Sequence, residues 1–205
     1  MASVLFIGGS IISDGGIVDV TRQRLGTNDA ASEVEEQTFR RATLEQHWNR
    51  LATQRALRRR KWDAVVLQEQ GTQPLTNPES MAKAIALWVL QIRSAGAEPV
   101  LFLPWRRREH LDDDDAWGRI RSLHYAAARE WNIRPAAVGD VWTAFRRSHP
   151  DIALTAEGGN HVNETGAVLS ASVIVATIVD WPDPGGRLRQ LIQEGGLADF
   201  PFDAS

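Results

Sequence analysis

Three short apolar runs constrain the fold of this chain more tightly than any other feature. Residues 4–7 (VLFI), 64–68 (AVVLQ) and 99–103 (PVLFL) have strand length and no polar alternation. A strand that is apolar on both sides is buried on both sides, as in a parallel sheet covered by helices. The segments between these runs carry helix signals. Residues 44–59 place Leu44, Trp48, Leu51 and Leu57 near one helical face, behind Thr43 as the N-cap candidate. Residues 78–93 open on Pro78 and Glu79 and stop at Ser94-Ala95-Gly96. Residues 117–131 and the apolar 165–179 read as further helices, and 141–147 as a short one. Residues 33–39 and 133–138 read as two weaker strands. Alternating strands and helices, joined by right-handed crossovers, predict an α/β protein. Its architecture would be a three-layer α/β/α sandwich with a mainly parallel central sheet.

A single domain over residues 1–205 is expected. Residues 13–31, rich in Gly, Asp, Asn and Thr, leave their structure open, with part of them helical. Residues from about 181 to 205 read as a C-terminal surface tail with one short helix at 188–193. Apolar residues make up 43% of the chain, enough for a sizeable core, and the formal charge is −3. That charge points to no dominant electrostatic partner, so neither nucleic acid nor a membrane is expected. The run Arg58-Arg59-Arg60-Lys61 reads as the solvated end of a helix, where cations suit the dipole. With no cysteine in the chain, disulfides, thiolate metal sites and cysteine nucleophiles are excluded. The acidic run Asp112–Asp115 lacks the alternating ligand spacing of a calcium loop, so no metal is expected. The opening MASVLFIGG has neither a basic n-region nor a long apolar h-region. No stretch approaches the roughly 18 apolar residues of a membrane span. The expectation is a soluble, cytoplasmic protein; its oligomeric state stays open.

Parallel α/β sheets hold ligands beyond the carboxyl ends of their strands. That directs attention to the loops at 8–13, 68–75, 105–115 and 157–164. In the first, Gly8-Gly9 permits a tight turn, after which Ser10 projects with its own N–H available to an oxyanion. A phosphate loop is the weaker reading, because GGSIISDGG has neither G-x-G-x-x-G nor a Walker lysine. In the second, Gln68, Gln70 and Gln73 supply amide donors just past a central strand. The third offers Trp105, either lining a pocket or packing in the core, and Arg106 to Arg108. Those arginines read better as a solvated loop paired with the following aspartates than as a carboxylate site. The fourth contains Asn160 and His161, just before the apolar helix. His47 reads as a helix residue packed beside Trp48.

Four blocks, SVLFIGGS, ATLEQHWN, DAVVLQEQGTQP and GGNHVNETGAVL, together resemble the ordered blocks of the GDSL-like, or SGNH, hydrolases. They span residues 4 to 169, most of the chain. The resemblance implies the flavodoxin-like sandwich of that superfamily and a serine esterase acting on a small ester without a cofactor. It makes Ser10 the nucleophile and His161 the base. The oxyanion hole would combine the Ser10 N–H, a backbone N–H near Ala42 and the side chain of Gln73, or of Gln70 if the register slips. Gly9, Gln68, Trp105 and Asn160 would line the substrate site. The chain also departs from the pattern. Gly9 replaces the acidic or amide residue of G-[DN]-S, Val162 replaces a proline, and Arg40-Arg41-Ala42 stands where the second block carries glycine. Gly158 occupies the aspartate position of D-x-x-H. The imidazole then needs another partner, either the adjacent Glu157 or a backbone carbonyl in a Ser–His dyad. The altered positions keep two alternatives open: an acyltransferase or cyclase on the same site, and a non-catalytic small-molecule-binding module.

Overall fold

A computed structural model describes residues 2–26 and 33–179. Five strands form one sheet: β1 (Ser3–Gly8), β2 (Glu33–Thr38), β3 (Ala64–Leu67), β4 (Glu98–Phe102) and β5 (Arg134–Ala136). All neighbouring strands are parallel and the order is β2-β1-β3-β4-β5. The predicted sandwich is therefore present. Alternate side chains of each strand enter opposite cores, as strand geometry requires. Val4, Phe6, Val66, Val100 and Phe102 pack under one helical layer, which includes α2 (Ile17–Leu25), α8 (Val138–Ser148) and α9 (Glu164–Val179). Leu5, Ile7, Val65, Leu67 and Leu101 pack under the other. Its main helix is α6 (Pro78–Ser94), with α7 (Asp114–Glu130) at its flank.

The segment 44–59 is not one helix. It divides into α3 (Leu44–Trp48) and α4 (Leu51–Arg58), with Asn49-Arg50 between them. Thr43 does cap α3: its side chain accepts from Gln46 N, while the Gln46 side chain accepts from Thr43 N. One local and one long-range bond accompany the break. Gln54 Nε2 donates to the Trp48 carbonyl at 3.1 Å, and His47 turns inward to the end of β1. Leu51, expected on the buried face, is 62% exposed. The acidic run is also less loop-like than expected. Asp113 caps α7 by accepting from Ala116 N, and Asp114 and Asp115 occupy the first turn, where the dipole favours them. Residues 13–31 contribute α2 after the short α1 (Ser10–Ser13). The helix expected at 188–193 lies outside the described residues.

Strand β1 lies between β2 and β3, so the chain adds a strand on one side of β1 and then crosses over to add the rest on the other. Such a switch point opens a crevice at the carboxyl ends of the strands. The parallel register sets Gly8 of β1 beside Thr38 of β2, and Ile7 beside Leu67 of β3. The loops following all three strands thus emerge at one level.

Candidate active site

A cleft of about 410 Å³ occupies this edge. Ser10 enters it from β1, Arg40 and Arg41 from the turn after β2, and Gln70 and Gly71 from the loop after β3. Arg107 enters from beyond β4, and Asn160 and His161 from the loop before α9.

The end of β1 is clamped on both sides. Gly9 N donates to Gln68 Oε1 at 2.8 Å, and Gln68 Nε2 donates to the Glu69 carbonyl. The Gly8 carbonyl accepts from Phe39 N at 3.1 Å and from His47 Nε2 at 2.8 Å. His47 is fully buried, and burial outweighs the Gly8 hydrogen bond to hold its pKa down to about 4. The neutral ring therefore carries its proton on Nε2 and accepts from the Thr53 hydroxyl at Nδ1, 3.1 Å away. These bonds fix the backbone from which Ser10 projects. Gln68 lines the cleft, yet both ends of its amide are committed to this clamp. Ser10 begins α1, so its N–H lacks an intrahelical acceptor.

His161 faces an acid that the sequence reading missed. Its Nδ1 lies 3.4 Å from Asp14 Oδ2, and Asp14 Oδ1 accepts from the Ser13 hydroxyl at 2.9 Å. Backbone packing brings the two together. Gly15, at φ +98°, presses so closely on Val162 that a Cβ would stand 2.2 Å from Val162 Cγ2. Val162 is itself held by a β-bridge to Thr155, and Ala156 N donates to the His161 carbonyl at 2.9 Å. The turn Asp14-Gly15 is thus seated against His161-Val162. Glu157 was the expected acid, but it is exposed and has no hydrogen bond or ion pair among the described residues. It is separated from His161 by Gly158 at φ +97° and Gly159 at φ +76°. An aspartate at position 158 would be strained in that backbone. The signal for Asp14 was the sequence Ser13-Asp14-Gly15-Gly16, directly after the nucleophile candidate. No hydrogen bond joins Ser10 Oγ to His161, although both line the cleft.

The oxyanion donors also shift. Gln70 lines the cleft, whereas Gln73 begins the short α5 (Gln73–Thr76) and does not. Gln70 Oε1 accepts from Thr72 N, the Thr72 hydroxyl and Gln73 N, at 2.8, 2.8 and 3.0 Å. Its NH₂ is the end left for a ligand. Ala42 is not a donor: its N–H goes to the Phe39 carbonyl at 3.0 Å, closing the turn. Arg41, one residue earlier, has no acceptor for its N–H among the described residues and has φ +59°. It thus holds the left-handed backbone suited to glycine while carrying a guanidinium. Beneath this edge, Glu69 is buried and accepts from Leu44 N at 3.1 Å and Gln70 N at 2.6 Å, tying the second block to the third.

Asn160 lines the cleft and accepts from Arg108 N at 3.2 Å, linking the two loops. Gly9 lines it through backbone. Trp105 does not line it. It is buried in the core, stacked on Trp142 with centroids 4.4 Å apart. Arg106 pairs with Asp114 at 2.5 Å, as expected of a solvated loop, but Arg107 turns into the cleft.

No family model matches the sequence. No curated protein matches it either. Solved structures do match. A protein from Slackia heliotrinireducens, described as a proposed SGNH hydrolase, superposes with a TM-score of 0.76 at 26% identity, over 86% of this chain and 98% of that one. A lipase/acylhydrolase from Enterococcus faecalis gives 0.68 at 16% identity over 87% and 95%. The acetyl xylan esterase AlAXEase gives 0.71 at 15% over 86% and 100%. Those two, at such identities, speak for the fold. No helix among the described residues is long and apolar enough to cross a membrane. With this sheet order, the ordered sequence blocks and these likenesses, the chain is a divergent member of the SGNH hydrolase superfamily.

Proposed function

We propose that the protein is a serine esterase acting on a small ester, with Ser10 as nucleophile, His161 as general base and Asp14 as the orienting acid. The observation that carries this reading is the contact of His161 Nδ1 with Asp14 on the cleft that Ser10 also lines. With Nδ1 turned to the carboxylate, Nε2 is the nitrogen left for the Ser10 hydroxyl.

Ser10 Oγ bonds to the ester carbonyl carbon while its proton passes to His161 Nε2. The carbonyl π pair becomes an oxyanion, received by the N–H groups of Ser10 and Arg41 and by the Gln70 amide. Collapse breaks the bond to the alcohol oxygen, which takes the proton from His161 and leaves. Water then gives a proton to His161 and attacks the acyl enzyme. Ser10 Oγ regains that proton as the carboxylic acid departs. Asp14 holds the ring in the required tautomer and stabilises the imidazolium in both halves.

Intact-mass spectrometry after incubation with a fluorophosphonate tests this. One adduct on wild type, absent from Ser10→Ala and His161→Ala, is the expected result. Loss of at least about 10³-fold in kcat/KM for 4-nitrophenyl acetate should accompany Ser10→Ala. A folded wild type that takes no adduct and turns over no ester would instead favour a binding module.

A further inference from the structure

Three arginines, Arg40, Arg41 and Arg107, line the cleft, and no acidic residue lines it among the described residues. Asp14 stands on the Nδ1 side of His161 and is not part of the lining. This imbalance is local. The whole chain has 26 acidic residues against 23 lysines and arginines. Several arginines elsewhere are paired: Arg22 with Asp19, Arg59 with Glu35, Arg60 with Glu33 and Arg121 with Asp140. Arg40 and Arg41 have no ion pair or hydrogen bond from their side chains among the described residues.

Two features indicate that the charge is built in. Arg41 holds a left-handed backbone at φ +59°. The only other non-glycine residue doing so among the described residues is Asn132, a type that tolerates it. A glycine would relieve Arg41, so the guanidinium is kept against the preference of the backbone. Arg107 lies over Gly71, where a Cβ would come within 3.0 Å of its Cδ and 3.1 Å of its Nη1. The missing side chain at 71 lets Arg107 reach across the loop that carries Gln70. Its Nε is 3.0 Å from Glu109, which partly offsets its charge.

We infer that the ester taken by this cleft carries an anionic group, a carboxylate or a group of like charge, held between the arginines after β2 and Arg107 beyond β4. The inference rests on the esterase reading for the reaction and on the arginines for the charge. Guanidinium groups bind planar oxyanions through paired N–H donors, and a partly enclosed cleft strengthens that attraction over open water. The ends of β1 and β3 lie between the two sources of charge, so the anion can belong to the acyl side or to the alcohol side.

Two matched pairs of substrates separate these cases. Mono-4-nitrophenyl glutarate against 4-nitrophenyl valerate puts the charge on the acyl side. Sodium 4-acetoxybenzoate against methyl 4-acetoxybenzoate puts it on the leaving group. In at least one pair, kcat/KM for the anion should exceed that for the neutral ester by tenfold or more at low salt. The advantage should shrink in 0.5 M sodium chloride. Arg41→Gly keeps the backbone N–H and relaxes the turn, and it should lower the anionic-to-neutral ratio at least fivefold; Arg107→Met is the second variant. Binding of 4-acetoxybenzoate to Ser10→Ala, followed by calorimetry with and without Arg41→Gly, reads the anion site independently of turnover. Equal rates within both pairs, unmoved by salt or by either variant, overturn the inference and leave the esterase reading standing. Binding that depends on Arg41, with no turnover of any ester, supports the anion site and overturns the esterase reading. Neither turnover nor binding overturns both.

Discussion

Asp14 lies four residues after Ser10 in the chain, and its carboxylate meets His161 from the turn after α1. The two catalytic candidates at the ends of the motif blocks were legible because each sits at a recognisable break: Ser10 after a glycine pair, His161 before an apolar helix. Their partner was not, because the encounter of Gly15 with Val162 joins residues far apart in sequence. Ala42 failed as a donor for a similar reason, since only the folded turn shows its N–H spent on Phe39. Asp14→Asn should lower kcat/KM by about 10- to 100-fold. That is less than the about 10⁴-fold seen when a buried acid is replaced in a serine protease, because this pair is half exposed. Glu157→Gln should leave kcat/KM within about twofold, as expected for an exposed residue remote from such features. Steady-state kinetics on one 4-nitrophenyl ester decides between them; a loss confined to Glu157→Gln would restore the acid first expected.

At the scale of elements, apolar runs located the central strands well because burial on both faces leaves a continuous signal in sequence. The 44–59 segment misled because helical periodicity continues through Asn49-Arg50, while bonds from His47 and Gln54 accompany a division of the helix in space. The start of α3 was legible, since its capping box is local. It also reaches toward the site: Leu44 N, in its first turn, is bound by Glu69 beside the Gln70 loop. Thr43→Ala removes the cap and should destabilise the protein by about 1 kcal/mol. Urea unfolding with an unchanged m-value would show this. A loss under about 0.3 kcal/mol would mean that Glu69 and the Trp88 bond to the Leu44 carbonyl hold the helix end unaided.

For the whole molecule, the layer order followed from the alternation of elements, but net charge concealed the arrangement of charge. A value of −3 is a sum, and it coexists with an arginine-lined cleft. Buried titratable groups were equally invisible, and they give stability a distinctive pH profile. Burial lowers His47 and His124 from 6.5 to about 4. The unfolded chain takes up protons first as pH falls from about 6.5 to 4, so both histidines withdraw stability across that window. Glu69 has the opposite sign. Burial raises it from 4.5 to about 7, more than the N–H groups of Gln70 and Leu44 lower it. Its contribution is present below about pH 4.5 and is lost as pH rises through about 7, because the unfolded carboxyl ionises first. At about 1.36 kcal/mol per unit, the effect is of order 3 kcal/mol. Glu69→Gln keeps an oxygen for Leu44 N and Gln70 N but cannot ionise. Its stability relative to wild type should therefore rise by about 2–3 kcal/mol between pH 4.5 and pH 8. Urea titrations at the two pH values measure that difference, in which the shared histidine effects cancel. Parallel pH profiles for the two proteins would show that Glu69 is already ionised in the fold at the lower pH.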